Sequence, residues 1–123
     1  MIQLSIFDLF KKPKKEPIQC HLQYHLAGVT FDNEDGTKRQ EIIKKMKEHD
    51  KVTLERYTYN GEDALRVVNE NNQCIGNIRA KEVPYVLAHF DTLIECKITD
   101  IYSFLNENDE EIYTASVIVY FWN

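Results

Sequence analysis

The dipeptide Asn60-Gly61 constrains the fold of this chain more than any other feature, because strand-like residues flank it on both sides. Residues 52–59 (VTLERYTY) and 64–68 (ALRVV) are rich in β-branched, aromatic and aliphatic side chains, which is typical of β-strands. Asn-Gly favours a two-residue turn in which both residues have positive φ. The pattern therefore predicts an antiparallel hairpin near the middle of the chain.

Similar patterns predict further strands and two helices. The predicted strands cover residues 22–29, 52–59, 64–68, 73–78, 93–104 and 112–122, and the predicted helices cover residues 37–49 and 80–90. Thr37 and Gln40 fit a capping box at the start of the first helix. Pro84 falls in the first turn of the second helix, where a missing amide costs little. A slip in alternation near Thr99 and Asp100 predicts a β-bulge.

The order of these elements, β-α-β-β-β-α-β-β, favours a mainly β domain of the α+β class. Short strands joined by tight turns favour antiparallel pairing. We expect a small six-stranded barrel of OB-like or SH3-like type, with two helices covering its openings. One face of the last strand is expected to carry Tyr113, Ala115, Val117, Val119 and Phe121.

Residues 1–18 are predicted to be an appendage to a single domain that spans residues 19–123. Residues 2–10 (IQLSIFDLF) fit a short amphipathic helix, and residues 11–17 (KKPKKEP) fit an extended basic linker. Such a helix can dock on a membrane surface or on a protein partner. It can equally pack on its own domain or fray, because isolated helices this short are marginal.

The charge of the chain limits how it can meet nucleic acid. The formal net charge is −5, and residues 1–16 contribute +2 through four lysines against Asp8 and Glu16, so the remainder carries −7. A protein that coats nucleic acid by long-range attraction needs a broad basic surface. Any nucleic-acid site on the domain is therefore expected to be small and local.

The cysteine pattern and the hydropathy predict a cytoplasmic protein. Cys20, Cys74 and Cys96 are widely spaced and form no paired motif, which argues against a disulfide scaffold and favours a reducing compartment. No stretch approaches the roughly 20 consecutive apolar residues that a membrane-spanning helix needs. The N-terminal apolar run precedes its lysines instead of following them, so we expect no signal peptide.

The candidate catalytic and ligating residues form no recognisable motif. Ser103 lies in no nucleophile motif, and the carboxylate pairs at residues 62–63 and 110–111 lie in predicted turns, where solvation is the default. Strand alternation puts Cys20 and His21 on opposite faces, and no other Cys/His pair has metal-ligand spacing. We expect no enzymatic activity, no metal and no cofactor.

Aromatic side chains are abundant, with seven tyrosines, six phenylalanines and one tryptophan. Most are expected in the core, since tyrosine and phenylalanine are favoured in strands. Tyrosines at strand ends can also form a platform on which the bases of a single strand stack. The count alone leaves both interpretations open.

The order and spacing of five segments go beyond these general signals. They are residues 24–30 (YHLAGVT), 52–56 (VTLER), 60–67 (NGEDALRV), 74–78 (CIGNI) and 81–82 (KE). Together they resemble the HIRAN domain, which is found fused to SWI/SNF-type helicases that remodel stalled replication forks, and also alone in bacteria and phages. The resemblance covers about residues 22–122 and implies an OB-like barrel with two helices.

The resemblance also implies a function. In the fork-remodelling members, the domain binds the 3′ end of single-stranded DNA. An aspartate receives the terminal hydroxyl, aromatic rings stack on the last bases, and polar or basic groups hold phosphate. A carboxylate accepts a hydrogen bond from a 3′-hydroxyl and repels a 3′-phosphate. The positions of this chain that match the pattern are Tyr24, His25, Asp63, Asn77, Lys81 and Tyr113.

Each matching position takes an implied role from the family. Asp63 matches the hydroxyl-binding aspartate, while Asn77 and Lys81 match residues that contact phosphate. His25, with the tyrosine before it, and Tyr113 match the ring-bearing contacts to nucleotides. The resemblance thus predicts a non-enzymatic DNA-binding module without a cofactor.

The loop after the hairpin turn departs from the family pattern. Gly61 stands where the family has proline, Glu62 stands where an aromatic ring would stack, and two residues are missing before Ala64. These departures, the acidic balance and residues 1–16 favour an alternative function. In that alternative, the chain is a protein-interaction or adaptor domain that keeps the fold without the DNA site.

Overall fold

The structure is a computed structural model that describes residues 19–123. The helix and linker predicted for residues 1–18, and the partner site predicted there, lie outside the described residues. The six strands are β1 (Gln19–His25), β2 (Lys51–Tyr59), β3 (Glu62–Val68), β4 (Cys74–Asn77), β5 (Leu93–Leu105) and β6 (Glu111–Trp122). The helices are α1 (Arg39–Lys44) and α2 (Val83–Ala88), and a 3₁₀ turn (Phe90–Thr92) leads into β5.

The six strands form one antiparallel sheet in the order β1-β6-β5-β2-β3-β4. This confirms the prediction of a mainly β fold with two helices. β2 joins β5 through only two residue pairs, Lys51↔Lys97 and Val52↔Cys96. An isolated antiparallel bridge between Ala27, just after β1, and Asn77 of β4 links the two outer strands of the sheet.

The predicted hairpin between β2 and β3 is confirmed. Asn60 and Gly61 both have positive φ, at 51° and 79°, as the Asn-Gly turn requires. Tyr59 and Glu62 are the first paired residues beside it. The β5–β6 register also shifts between Ile98 and Asp100, which confirms the predicted bulge.

The predicted start and length of the first helix are wrong. Lys38 is the N-cap residue and no side chain caps the helix. The hydroxyl of Thr37 instead donates to Asp35 at 2.6 Å, and the amide of Gln40 bonds the backbone of Val29 and Tyr113. The remote partners of Gln40, and the local partner of Thr37, compete with capping. The helix spans only Arg39–Lys44 and ends well before the predicted end.

The second helix contains Pro84 in its first turn, as predicted, but is shorter than residues 80–90. Its buried side chains are Val83 and Val86. Both helices pack against the sheet, α1 on β4 and β6 and α2 on β3. They cover part of the core with their apolar side chains.

The core lies between the inner face of the sheet and the two helices. Its fully buried side chains include Ile43, Leu65, Ile75, Ile98 and Val117. Each such aliphatic side chain contributes about 1.5–3 kcal/mol through removal from water. On β6, the predicted inner face is confirmed, since Ala115, Val117, Val119 and Phe121 are buried and Tyr113 is half-buried.

Candidate nucleic-acid interface

Tyr24 and His25, neighbours in β1, lie on opposite faces of the sheet. Tyr24 belongs to the core and is 9% exposed, whereas His25 is exposed. Burial raises the pKa of the Tyr24 phenol, and the nearby charge of Glu82 raises it further. The two rings therefore cannot contact one nucleotide from the same side, because successive strand residues point to opposite faces.

The imidazole of His25 is held by two hydroxyl groups. The oxygens of Tyr102 and Ser116 lie 2.8 and 2.9 Å from its Nδ1, and the Tyr102 ring meets it edge-on at 6.0 Å between centroids. Within residues 19–123, its Nε2 has no hydrogen-bond partner. His25 thus presents one fixed ring with a free nitrogen at the surface.

A shallow groove of about 360 Å³ lies beside this imidazole, and we call it the His25 groove. Its rings come from His25, Tyr102 and the 49% exposed Phe104, and its positive charge comes from Arg79. Residues 27–30 form one side. Exposed rings beside a cation can stack a base and hold a phosphate.

Two nucleophilic groups of the sheet, the Ser116 hydroxyl and the Cys96 thiol, are inaccessible. Ser116 is only 2% exposed, so its hydroxyl anchors the imidazole and cannot meet a substrate. Burial, and secondarily the charge of Glu95, raises the pKa of the Cys96 thiol to about 12. At neutral pH this buried thiol is protonated and unreactive.

Asp63 is engaged by a neighbouring arginine on the hairpin. Its carboxylate accepts hydrogen bonds from Nε and Nη2 of Arg56 at 3.2 and 3.0 Å. These contacts raise the pKa of the Arg56 guanidinium. Both side chains are about half exposed. Strand alternation places Glu62 on the opposite face of β3, away from this pair.

Asn77 is the centre of a hydrogen-bond network that sequence analysis did not foresee. Its Oδ1 accepts from Nη1 of Arg39 at 2.9 Å, and its Nδ2 donates to the Tyr57 hydroxyl at 2.7 Å. The same Nη1 donates to the carbonyl of Gly28. Gly28 has a positive φ of 66°, and a Cβ there would lie 3.0 Å from Oδ1 of Asn77. This position therefore requires glycine.

Lys81 and Tyr113 lie apart from these groups. Lys81 is exposed in the turn before α2. The hydroxyl of Tyr113 donates to Glu111 at 3.0 Å, which raises the pKa of that phenol, and Lys44 lies 5.2 Å from its ring centroid. Tyr113 therefore contacts Glu111 through its hydroxyl and Lys44 through its ring, near the β5–β6 hairpin.

The structure does not bring the six expected site residues into one pocket. Among residues 19–123, no hydrogen bond, ion pair or ring contact joins any two of them, and only His25 lines the groove. Sequence analysis missed Arg79 and Phe104 there. The spacing of Tyr102 and Phe104, two residues apart on β5, was the available signal that they share a face.

Comparisons with known proteins add no support for a family. No family model, curated protein or solved structure matches this chain, so the resemblance to the HIRAN domain stays a prediction. None of the helices in residues 19–123 has the length and apolarity to span a membrane. Within the same range, no three His, Cys, Asp or Glu side chains are grouped as metal ligands would be.

Proposed function

We propose that this chain is a non-enzymatic nucleic-acid-binding module that holds single-stranded DNA in the His25 groove. The observation that carries the proposal is the grouping of exposed Phe104, Tyr102 and the fixed imidazole beside Arg79. A base can stack on the rings while its phosphate meets the guanidinium. The site is local, as the acidic balance of the chain requires.

The fold proposed for this function is a small OB-like barrel of the HIRAN type. The Ala27↔Asn77 bridge supports it, because its two hydrogen bonds of 2.9 and 2.8 Å connect the outer strands of the sheet. In such a barrel the strand faces and connecting loops form the binding surface for single strands. The loop at residues 27–30, which follows β1, lines the groove.

Recognition of a 3′ end is the finer part of the proposal, and it rests on Asp63. A carboxylate that is paired with arginine keeps lone pairs for a further hydroxyl. Nη1 of Arg56 has no hydrogen-bond partner within residues 19–123 and would hold the adjacent phosphate. Because Glu62 points to the other face of β3, its repulsion of phosphate is weakened.

Fluorescence anisotropy with labelled oligodeoxynucleotides at low salt tests the groove. Phe104→Ala is expected to weaken binding about fivefold or more, since stacking contributes ~1–3 kcal/mol per base. Leu105→Ala is the matched control, because Leu105 is exposed on the same strand end and does not line the groove. The absence of saturable binding, or equal losses in both variants, would contradict the proposal.

End recognition has its own comparison in the same assay. Strands ending in a 3′-hydroxyl are expected to bind more tightly than strands ending in a 3′-phosphate, and Asp63→Asn should reduce that preference. Equal binding of the two strands by the unmodified chain would remove end recognition and leave the groove proposal standing.

A protein-interaction or adaptor function is the second candidate. It is favoured by the outer part of β5, where residues 100–105 pair with β6 alone within the described sheet. Phe104 and Leu105 are also exposed there. Loss of a captured partner on deletion of residues 1–16, together with absence of DNA binding, would support this function over the first.

A further inference from the structure

Arg66 forms no ion pair with an acidic side chain within residues 19–123. It lies between the fully buried Leu65 and Val67, so it points to the outer face of β3. Glu55 is its cross-strand neighbour, yet the guanidinium has no carboxylate within 4.0 Å in the described residues. It stacks instead on Tyr57, with 4.1 Å between Cζ and the ring centroid.

Arg39 is also held by neutral groups only. Its Nη1 donates to the carbonyl of Gly28 and to Oδ1 of Asn77, and its Nε donates to Oδ1 of Asn33, all at 2.9 Å. The side chain is half-buried, so its charge is poorly screened by water. Within residues 19–123, Nη2 has no hydrogen-bond acceptor.

The two arginines flank one pair of hydrogen-bonded side chains. The Asn77 amide accepts from Arg39 and donates to the Tyr57 hydroxyl at 2.7 Å, and the Tyr57 ring carries Arg66. The 63% exposed ring of Phe31 adds a flat apolar surface beside Arg39, with 5.8 Å between Cζ and its centroid. The side chains of Asn77 and Tyr57 therefore connect the two guanidinium groups on one face of the sheet.

We propose that Arg39 and Arg66 bind a phosphate group on the outer face of β3 and β4. A guanidinium stacked on a ring keeps its in-plane N–H donors free for the oxygens of a tetrahedral anion. All the donors of Arg66 and Nη2 of Arg39 lack acceptors in the described chain, and a phosphate supplies both acceptors and negative charge. Glu55 lies opposite Arg66 in the register and Glu62 lies on the same face of β3 as Arg66, and both acids disfavour anions that lack such bidentate contacts.

Two kinds of ligand carry a phosphate group that would suit this site. The group is a backbone phosphate of a nucleic-acid strand or the phosphate of a free nucleotide. The site meets the His25 groove at Gly28, whose carbonyl bonds Arg39 and whose backbone lines the groove. Phosphate binding by Arg39 and Arg66 does not depend on DNA binding in the His25 groove, because a free phosphate can occupy the site as well.

Nitrogen-15 NMR of the full chain tests the site with inorganic phosphate, thymidine monophosphate and an oligothymidine, each against chloride at matched ionic strength. Saturable shifts are expected at the Gly28 amide and the Asn77 side chain. Arg66→Gln should weaken the binding about fivefold or more. Lys47→Gln removes the same charge from an exposed residue and should change the binding less than about twofold.

The three probes separate the sources and the two proposals. Arg66-dependent binding of phosphate or of the mononucleotide supports a free ligand, and dependence seen only with oligothymidine supports a strand phosphate. Phosphate binding without oligonucleotide binding would leave this site standing and remove the proposed function. If no probe gives an Arg66-dependent shift, or if Lys47→Gln weakens binding equally, the phosphate site is wrong.

Discussion

Arg56 and Arg66 lie on the same hairpin, but their guanidinium groups have different kinds of partner. Arg56 forms two hydrogen bonds with the carboxylate of Asp63 near the hairpin end. Arg66 has Glu55 opposite it in the register but stacks on the ring of Tyr57. The guanidinium of Arg56 contacts a carboxylate, while the guanidinium of Arg66 contacts an uncharged ring.

The contacts of these arginines differ in how much they stabilise the fold and in how strongly salt weakens them. An exposed ion pair contributes little to stability and is screened by salt. Half-buried hydrogen bonds from a charged donor to neutral acceptors contribute more and are less sensitive to salt. We therefore expect the Asn77 network to contribute more to the free energy of unfolding, and the exposed Arg56–Asp63 pair to contribute little.

The largest expected effect is that of removing the centre of the network. Asn77→Ala should lower the free energy of unfolding by about 2–3 kcal/mol, because Arg39 loses an acceptor and Tyr57 loses a donor. Urea unfolding measures the change. Asn71→Ala is the control, since Asn71 is an exposed turn residue, and should stay within about 0.5 kcal/mol. A loss below 1 kcal/mol for Asn77→Ala would contradict the comparison.

A smaller effect is expected from one hydroxyl of the same network. Tyr57→Phe keeps the ring under Arg66 and removes the acceptor of Nδ2 of Asn77, so the loss should be about 1 kcal/mol. Tyr59→Phe, at a 65% exposed position two residues away, should cost almost nothing. Equal unfolding midpoints for the two variants would show that the Tyr57 hydroxyl is not part of a stabilising network.

The smallest effect is expected at the ion pair. A double-mutant cycle with Arg56→Ala and Asp63→Ala should give a coupling of about 0.2–1 kcal/mol at low salt, which decreases at high salt. The cycle for Arg39 and Asn77 should give a larger coupling that changes little with salt. If the two couplings respond alike to salt, the contrast between the regions fails.

The parts of the fold that sequence analysis predicted depend on local signals. Asn60-Gly61 specifies its turn by backbone preference, and the alternation in residues 112–122 identifies the buried face of β6. Gln40 shows the opposite case, because it bonds Tyr113, which is 73 residues away. No local pattern distinguishes that contact from a cap.

The candidate site was harder to predict for the same reason. The His25 groove forms where the loop after β1 meets the far end of β5, and this meeting depends on the order of strands in the sheet. Strand alternation alone could have separated Tyr24 from His25. The pairing of Arg66 with Tyr57 instead of Glu55 is a choice between two neighbours on one face, which a sequence pattern does not decide.

The position of β6 has a consequence for synthesis of the protein. β6 comes last of the six strands and yet lies inside the sheet, between β1 and β5, and the first pair of its register with β1 is Gln19↔Trp122. While the ribosome is still making residues 111–122, β1 has no partner and exposes a strand edge that invites wrong pairing. A chain terminated before β6 would therefore leave β1 without a strand partner and turn β5 into an edge of the remaining sheet.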